Sequence, residues 1–134
     1  MTQEQKDLLL KDLCARLPYK LYVEDEYGDI LCLDYTDLHF ENYFNAILEG
    51  NVKPYLFPLS SMTEEQYDEF EKIVSDDYLE NIQITKEMRE RVDFITHFPI
   101  YCPNVIDWFN KNHFDYRGLI PKDLAIDATG LNIY

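Results

Sequence analysis

Apolar positions recur along this chain with two different periods, and the change from one to the other predicts its elements. Leu9, Leu10, Leu13, Cys14 and Leu17 recur at helical spacing, the pattern that puts side chains on one face of an α-helix. Thr2 with Gln5 three positions on forms a capping box at its start, and Pro18 closes it shortly after Arg16. The period then drops to two. Lys20 to Glu24 and Asp29 to Asp34 are strand-forming runs separated by Asp25-Glu26-Tyr27-Gly28, where Gly28 supplies the positive φ of a hairpin turn. Leu21 and Val23 face the core from the first strand. On the second, Ile30, Cys32 and Asp34 share one face while Leu31, Leu33 and Tyr35 share the other, so both faces are expected to be covered.

From Thr36 to Gly50, Phe40, Tyr43, Phe44 and Ile47 fit a helix stopped by Gly50, while the aromatic content suits a strand equally well. Asn51 to Leu59 contains Pro54 and Pro58, each without a backbone donor, which predicts an edge strand or an extended connection rather than a central strand. Thr63 and Gln66 make a second capping box, opening a helix to about Tyr78 with Tyr67, Phe70, Ile73, Val74 and Tyr78 along one side. Thr85 caps a third helix, with Met88, Val92 and Ile95 inward and Glu87 in its first turn. After an apolar connection from His97 to Pro103, a short helix begins at Pro103, carries Val105, Ile106, Trp108 and Phe109 inward and ends near Asn112. Leu124 and Ile126 predict one further strand in the tail. Strands followed by helices imply an α+β fold, a small antiparallel sheet packed against three or four helices. With no repeat and no long linker, residues 1–134 are expected to form a single domain.

Composition narrows what such a domain can do. Its 134 residues are 46% hydrophobic, and a chain of this size buries about two thirds of its unfolded surface, enough to fold without disulfides or a metal. The 26 acidic residues against 12 Lys and Arg give a formal net charge of −14, which opposes approach to phosphate polyanions and anionic lipid. Direct nucleic-acid and membrane binding are therefore not expected. The chain has no apolar run of the roughly 18 residues that span a bilayer and no signal-peptide pattern at Met1 to Gln5, which points to the cytoplasm. Cys14, Cys32 and Cys102 are odd in number and widely spaced beside apolar neighbours, as expected of buried thiols in a reducing compartment. His97 and Cys102 lack the paired spacing of a zinc site, so neither a metal nor another cofactor is expected.

Three segments carry a resemblance: Leu13-Cys14-Ala15-Arg16-Leu17-Pro18-Tyr19, the block from Val52-Lys53-Pro54-Tyr55 to Gln66, and Asp107-Trp108 through His113-Phe114-Asp115-Tyr116-Arg117-Gly118-Leu119-Ile120. Through them the chain resembles a family of small uncharacterised proteins common in gut Bacteroidales genomes, often in or near prophages and other mobile elements. The resemblance implies a bacterial or phage cytoplasm and supplies no catalytic residues.

Two constellations invite a functional reading. Glu24 to Glu49 holds eight carboxylates and no Lys or Arg, and Glu64 to Glu80 holds eight against Lys72 alone. Such surfaces attract a basic protein partner or mimic the phosphate row of a nucleic acid, with Glu65, Asp68 and Glu69 as candidate contacts. The plainer reading is a solvated face that keeps a small domain soluble. The second constellation is His113, Asp115 and Arg117. Arg117 is suited to hold a carboxylate or phosphate bidentately, beside two groups able to move a proton. Its plainer reading is a helix terminus, with His113 at the last carbonyls, Asp115 paired with Arg117, and Gly118 allowing the turn. No nucleophile, metal site or phosphate loop can be assembled from these spacings, so an enzyme is not expected. The leading expectation is a small interaction or regulatory protein, and the alternative is a small-molecule or peptide-binding module with an aromatic pocket near the Pro-rich segment and Arg117.

Overall fold

The computed structural model describes residues 1–33, 45–77 and 103–134. It shows an α+β fold built on a four-stranded mixed sheet. By its contacts the chain falls into two compact units, Met1–Leu56 with Leu119–Tyr134, and Phe57–Gly118. Tyr78, the helix expected from Thr85, the His97 connection with Cys102, and the Thr36 to Phe44 part of the ambiguous segment lie outside the described residues.

In the first unit, α1 (Gln3–Arg16) starts as its capping box requires: Thr2 Oγ1 accepts from the Gln5 N–H at 3.2 Å, and Gln5 Oε1 accepts from the Thr2 N–H at 2.9 Å. Its buried residues are Leu9, Asp12, Leu13 and Arg16, while Leu10 and Cys14 are exposed. The expected apolar stripe is corrected in this respect. Positions 9, 12, 13 and 16 follow the strict i, i+3, i+4, i+7 spacing, so geometry selects a face that includes two charges in place of two apolar neighbours. Those charges are paired: Arg16 Nε donates to Asp12 Oδ2 at 2.7 Å and Nη2 to Oδ1 at 3.1 Å, with both side chains wholly buried.

A 3₁₀ turn (Leu17–Tyr19) and Lys20, at φ 62°, lead into β1 (Leu21–Glu24). The turn to β2 (Ile30–Leu33) is tied by Asp25, whose Oδ1 accepts from the N–H groups of Tyr27 and Asp29, with Gly28 at φ 84°. The antiparallel register sets Leu21 opposite Leu33 and Val23 opposite Leu31 on the core face. The other face is less covered than expected. Ile30 is 51% exposed and Cys32 is exposed, so among the described residues that face of β2 is not buried as anticipated. Cys14 and Cys32 are consequently not buried thiols.

Residues 45–48 are helical and stop at Gly50, φ 84°, where Gly50 N–H donates to Ile47 C=O and Asn51 N–H to Ala46 C=O. The described end of the ambiguous segment is thus helix. β3 (Lys53–Leu56) then lies inside the sheet, in the order β2-β1-β3-β4, and corrects the expectation of an edge. Pro54 is tolerated because of where its nitrogen points. The Leu56 carbonyl accepts from Ala128 N–H on the β4 side. By alternation Pro54 faces that side too. The partner strand β4 (Ile126–Asp127) pairs only Tyr55 and Leu56, so no ladder bond is lost at Pro54. This last pairing is parallel, which makes the sheet mixed rather than antiparallel throughout. Leu9, Leu13, Leu21, Val23, Leu33, Ile47, Leu56 and Leu119 form the core beneath it.

The second unit packs α2 (Glu64–Asp77) against α3 (Pro103–Lys111) around an aromatic core. Phe70 stacks on Trp108 and tilts against Phe109, with centroids 5.8 and 5.3 Å apart, while Phe109 stacks on Tyr116 at 5.5 Å. Phe57 joins this core by a short parallel bridge to Phe114.

Candidate functional site

The second capping box fixes where the acidic surface begins. Thr63 Oγ1 accepts from Gln66 N–H at 3.2 Å and Gln66 Oε1 accepts from Thr63 N–H at 2.9 Å, and Glu64 and Glu65 occupy the first turn, where negative charge suits the helix dipole. From that start, Phe70 and Val74 turn wholly inward, with Tyr67 and Ile73 flanking them. The opposite stripe at i, i+3, i+4 is Glu65, Asp68 and Glu69, all exposed. The three candidate carboxylates are therefore brought together on one helix face. Glu69 has a second duty, since its Oε2 accepts from Trp108 Nε1 at 3.2 Å and so ties α2 to α3. Glu65 and Asp68 remain as the solvent-facing pair.

The His113 to Arg117 stretch is arranged as a helix terminus. α3 ends at Lys111, and His113, at φ 62°, takes the left-handed position usually given to glycine. His113 N–H donates to Asn110 C=O and Phe114 N–H to Phe109 C=O, the two bonds that close a helix end. Main-chain bonds on both sides of Phe57 then hold the stretch: Phe57 N–H donates to His113 C=O and Asp115 N–H to Phe57 C=O, each at 2.8 Å. His113 and Asp115 are buried. Arg117 is half-buried, with its guanidinium carbon 4.7 Å from the Tyr116 ring centroid. Tyr116 in turn donates to Asn110 Oδ1 at 2.9 Å inside the core. Of the three, Arg117 alone presents a cation toward the surface.

Sequence reasoning missed a cleft of about 380 Å³ in the first unit. Leu9, Ile47, Val52 and Leu124 supply its apolar wall, and Lys53, Lys122, Glu49 and Asp123 its charges. Lys53 Nζ and Asp123 Oδ1 are paired at 2.7 Å. Among the described residues no aromatic side chain lines this cleft, and Arg117 belongs to the other unit, so it does not match the aromatic pocket anticipated near the Pro-rich segment. No sequence motif announced it, because its walls come from three separate stretches of chain, residues 1–9, 47–53 and 122–124. Beside it on the sheet, the Tyr55 hydroxyl donates to Glu24 Oε2 at 2.7 Å; burial and the neighbouring carboxylate push its pKa up to about 12.

Among the described residues, no three His, Cys, Asp or Glu side chains converge as metal ligands, and no helix is long and apolar enough to cross a membrane. Comparison of the chain with protein-family models, curated proteins and solved structures finds no match.

Proposed function

We propose that this is a non-catalytic interaction or regulatory protein that binds a basic protein partner through the Glu65, Asp68 and Glu69 face of α2. The observation that carries the reading is the sharp division of that helix, with Phe70 and Val74 fully buried and the three carboxylates exposed on the other side. In a chain of net charge −14, that stripe adds to a field that draws cationic surfaces and repels phosphates. A protein that handles nucleic acid is a natural target, because its basic groove is shaped for a row of negative charges. The resemblance to proteins of Bacteroidales prophages and mobile elements supports a setting in the bacterial cytoplasm, where such antagonism has a use.

Capture from a bacterial lysate at low and physiological salt tests this, with Glu65→Gln/Asp68→Asn as the comparison. Glu69 is left intact because it bonds Trp108. A basic partner held at low salt, released by higher salt and at least tenfold less retained by the double variant is the expected result. Equal retention by the variant would reduce the stripe to a solvated face.

A further inference from the structure

Direct pairing of β1 with β3 covers two rungs, Val23 with Pro54 and Glu24 with Lys53. At the next rung, between Tyr22 and Tyr55, the phenol of Tyr134 is inserted. Its oxygen accepts from the Tyr22 N–H at 3.0 Å and its hydroxyl donates to the Tyr55 C=O at 2.9 Å, so one side chain from 112 residues away completes the ladder. The Tyr134 ring meets the Tyr22 ring edge-on, with centroids 5.1 Å apart.

The segment that delivers this ring has modest anchorage of its own. Thr129 N–H and Oγ1 bond Asp127 Oδ1, Leu131 N–H bonds Ala128 C=O, Leu131 is half exposed, and Asn132 sits at φ 52°. Next to the seam, on the same sheet face as Tyr22 and Glu24, lie the exposed Cys32 and Ile30. The features required of a recognition site are therefore together: one donor, one acceptor, an aromatic wall and adjoining apolar surface.

We infer that the β1–β3 seam is a tyrosyl-binding slot, that Tyr134 fills it in cis as a detachable plug, and that its ligand class is a tyrosine-bearing peptide segment. A phenylalanine in the slot would leave the Tyr22 N–H and Tyr55 C=O without the bridging hydroxyl, so recognition is of the phenol and not of an aromatic ring in general. Competition is physically accessible, because a ligand carried on a short tether competes at an effective concentration on the order of millimolar. This inference is independent of the acidic face on α2.

Amide exchange at Tyr22, followed in the full chain by NMR, tests both parts. Tyr134→Phe is expected to speed Tyr22 exchange at least tenfold while the Leu13 and Val23 amides keep their protection. Titrating Tyr134→Ala with a synthetic peptide of residues Thr129 to Tyr134 is expected to restore Tyr22 protection with saturation in the millimolar range, and the same peptide ending in Phe is expected to fail. Unchanged Tyr22 exchange in Tyr134→Phe would overturn the bridging role. No saturable protection, or equal protection by the Phe peptide, would overturn the slot. If Tyr134→Ala does not fold, the titration is made on Tyr134→Phe, with the same outcomes deciding.

Discussion

Arg16 and Asp12 show how one pair of residues can govern the stability of a helix face. Both side chains are wholly buried and joined by two hydrogen bonds, so each charge offsets part of the cost of burying the other. Arg16→Met is expected to cost about 3–5 kcal/mol, since it takes the bidentate cation away from a buried carboxylate. The double change Asp12→Leu/Arg16→Met should recover most of that loss, which urea denaturation of the three variants would check. Tyr55 makes a different statement, about pH. Its hydroxyl is pushed up to about 12 in the folded protein, by burial first and then by Glu24, from an ordinary value of 10. The folded state therefore holds that proton more tightly than the unfolded chain does, so the contribution is complete below pH 10 and is lost as pH climbs toward 12. Tyr134, also raised by burial, adds to the same alkaline loss. Thermal melts between pH 9 and 12 should show stability falling in that window, with a shallower fall in Tyr55→Phe; an identical fall would exclude Tyr55 as a source.

At the scale of elements, the capping boxes were the most legible signals. Thr2 with Gln5 and Thr63 with Gln66 each place both reciprocal hydrogen bonds where the sequence implied them, because four residues contain the whole motif. Thr63→Ala should thus destabilise the fold by about 1 kcal/mol, seen as a lower urea midpoint at unchanged slope, and Thr63→Ser should cost much less. What proved illegible depends on partners far along the chain. The inner position of β3 follows from a parallel strand that arrives 70 residues later, at Ile126 and Asp127. Likewise the exposure of Leu10, Cys14 and Cys32 is decided by which face the core selects, and local apolar neighbours say nothing of that. The same limit applies to function: the Glu65, Asp68, Glu69 stripe is written in helical spacing, whereas the cleft and the Tyr134 seam join residues with no spacing to announce them.

For the molecule as a whole, the charge of −14 acts on folding and on the proposed binding with opposite signs. Within the compact state the carboxylates repel one another more than they do in the expanded chain, so added salt should favour folding by screening them. Raising sodium chloride from about 10 to 150 mM shortens the Debye length from roughly 30 to 8 Å. If that relieves on the order of 1 kcal/mol of self-repulsion, the melting temperature rises by about 4 °C for a domain of this size. Attraction to the proposed basic partner is screened by the same ions, so the salt that stabilises the fold should loosen that proposed complex. Asp68→Asn, which spares the first-turn Glu65 that suits the helix dipole, separates the two effects. Removing this exposed charge should raise the melting temperature at low salt, and the difference from the parent should close at 150 mM. A melting temperature that does not respond to salt, or a difference that persists at 150 mM, would mean that Asp68 acts through local contacts and not through the field of the whole protein.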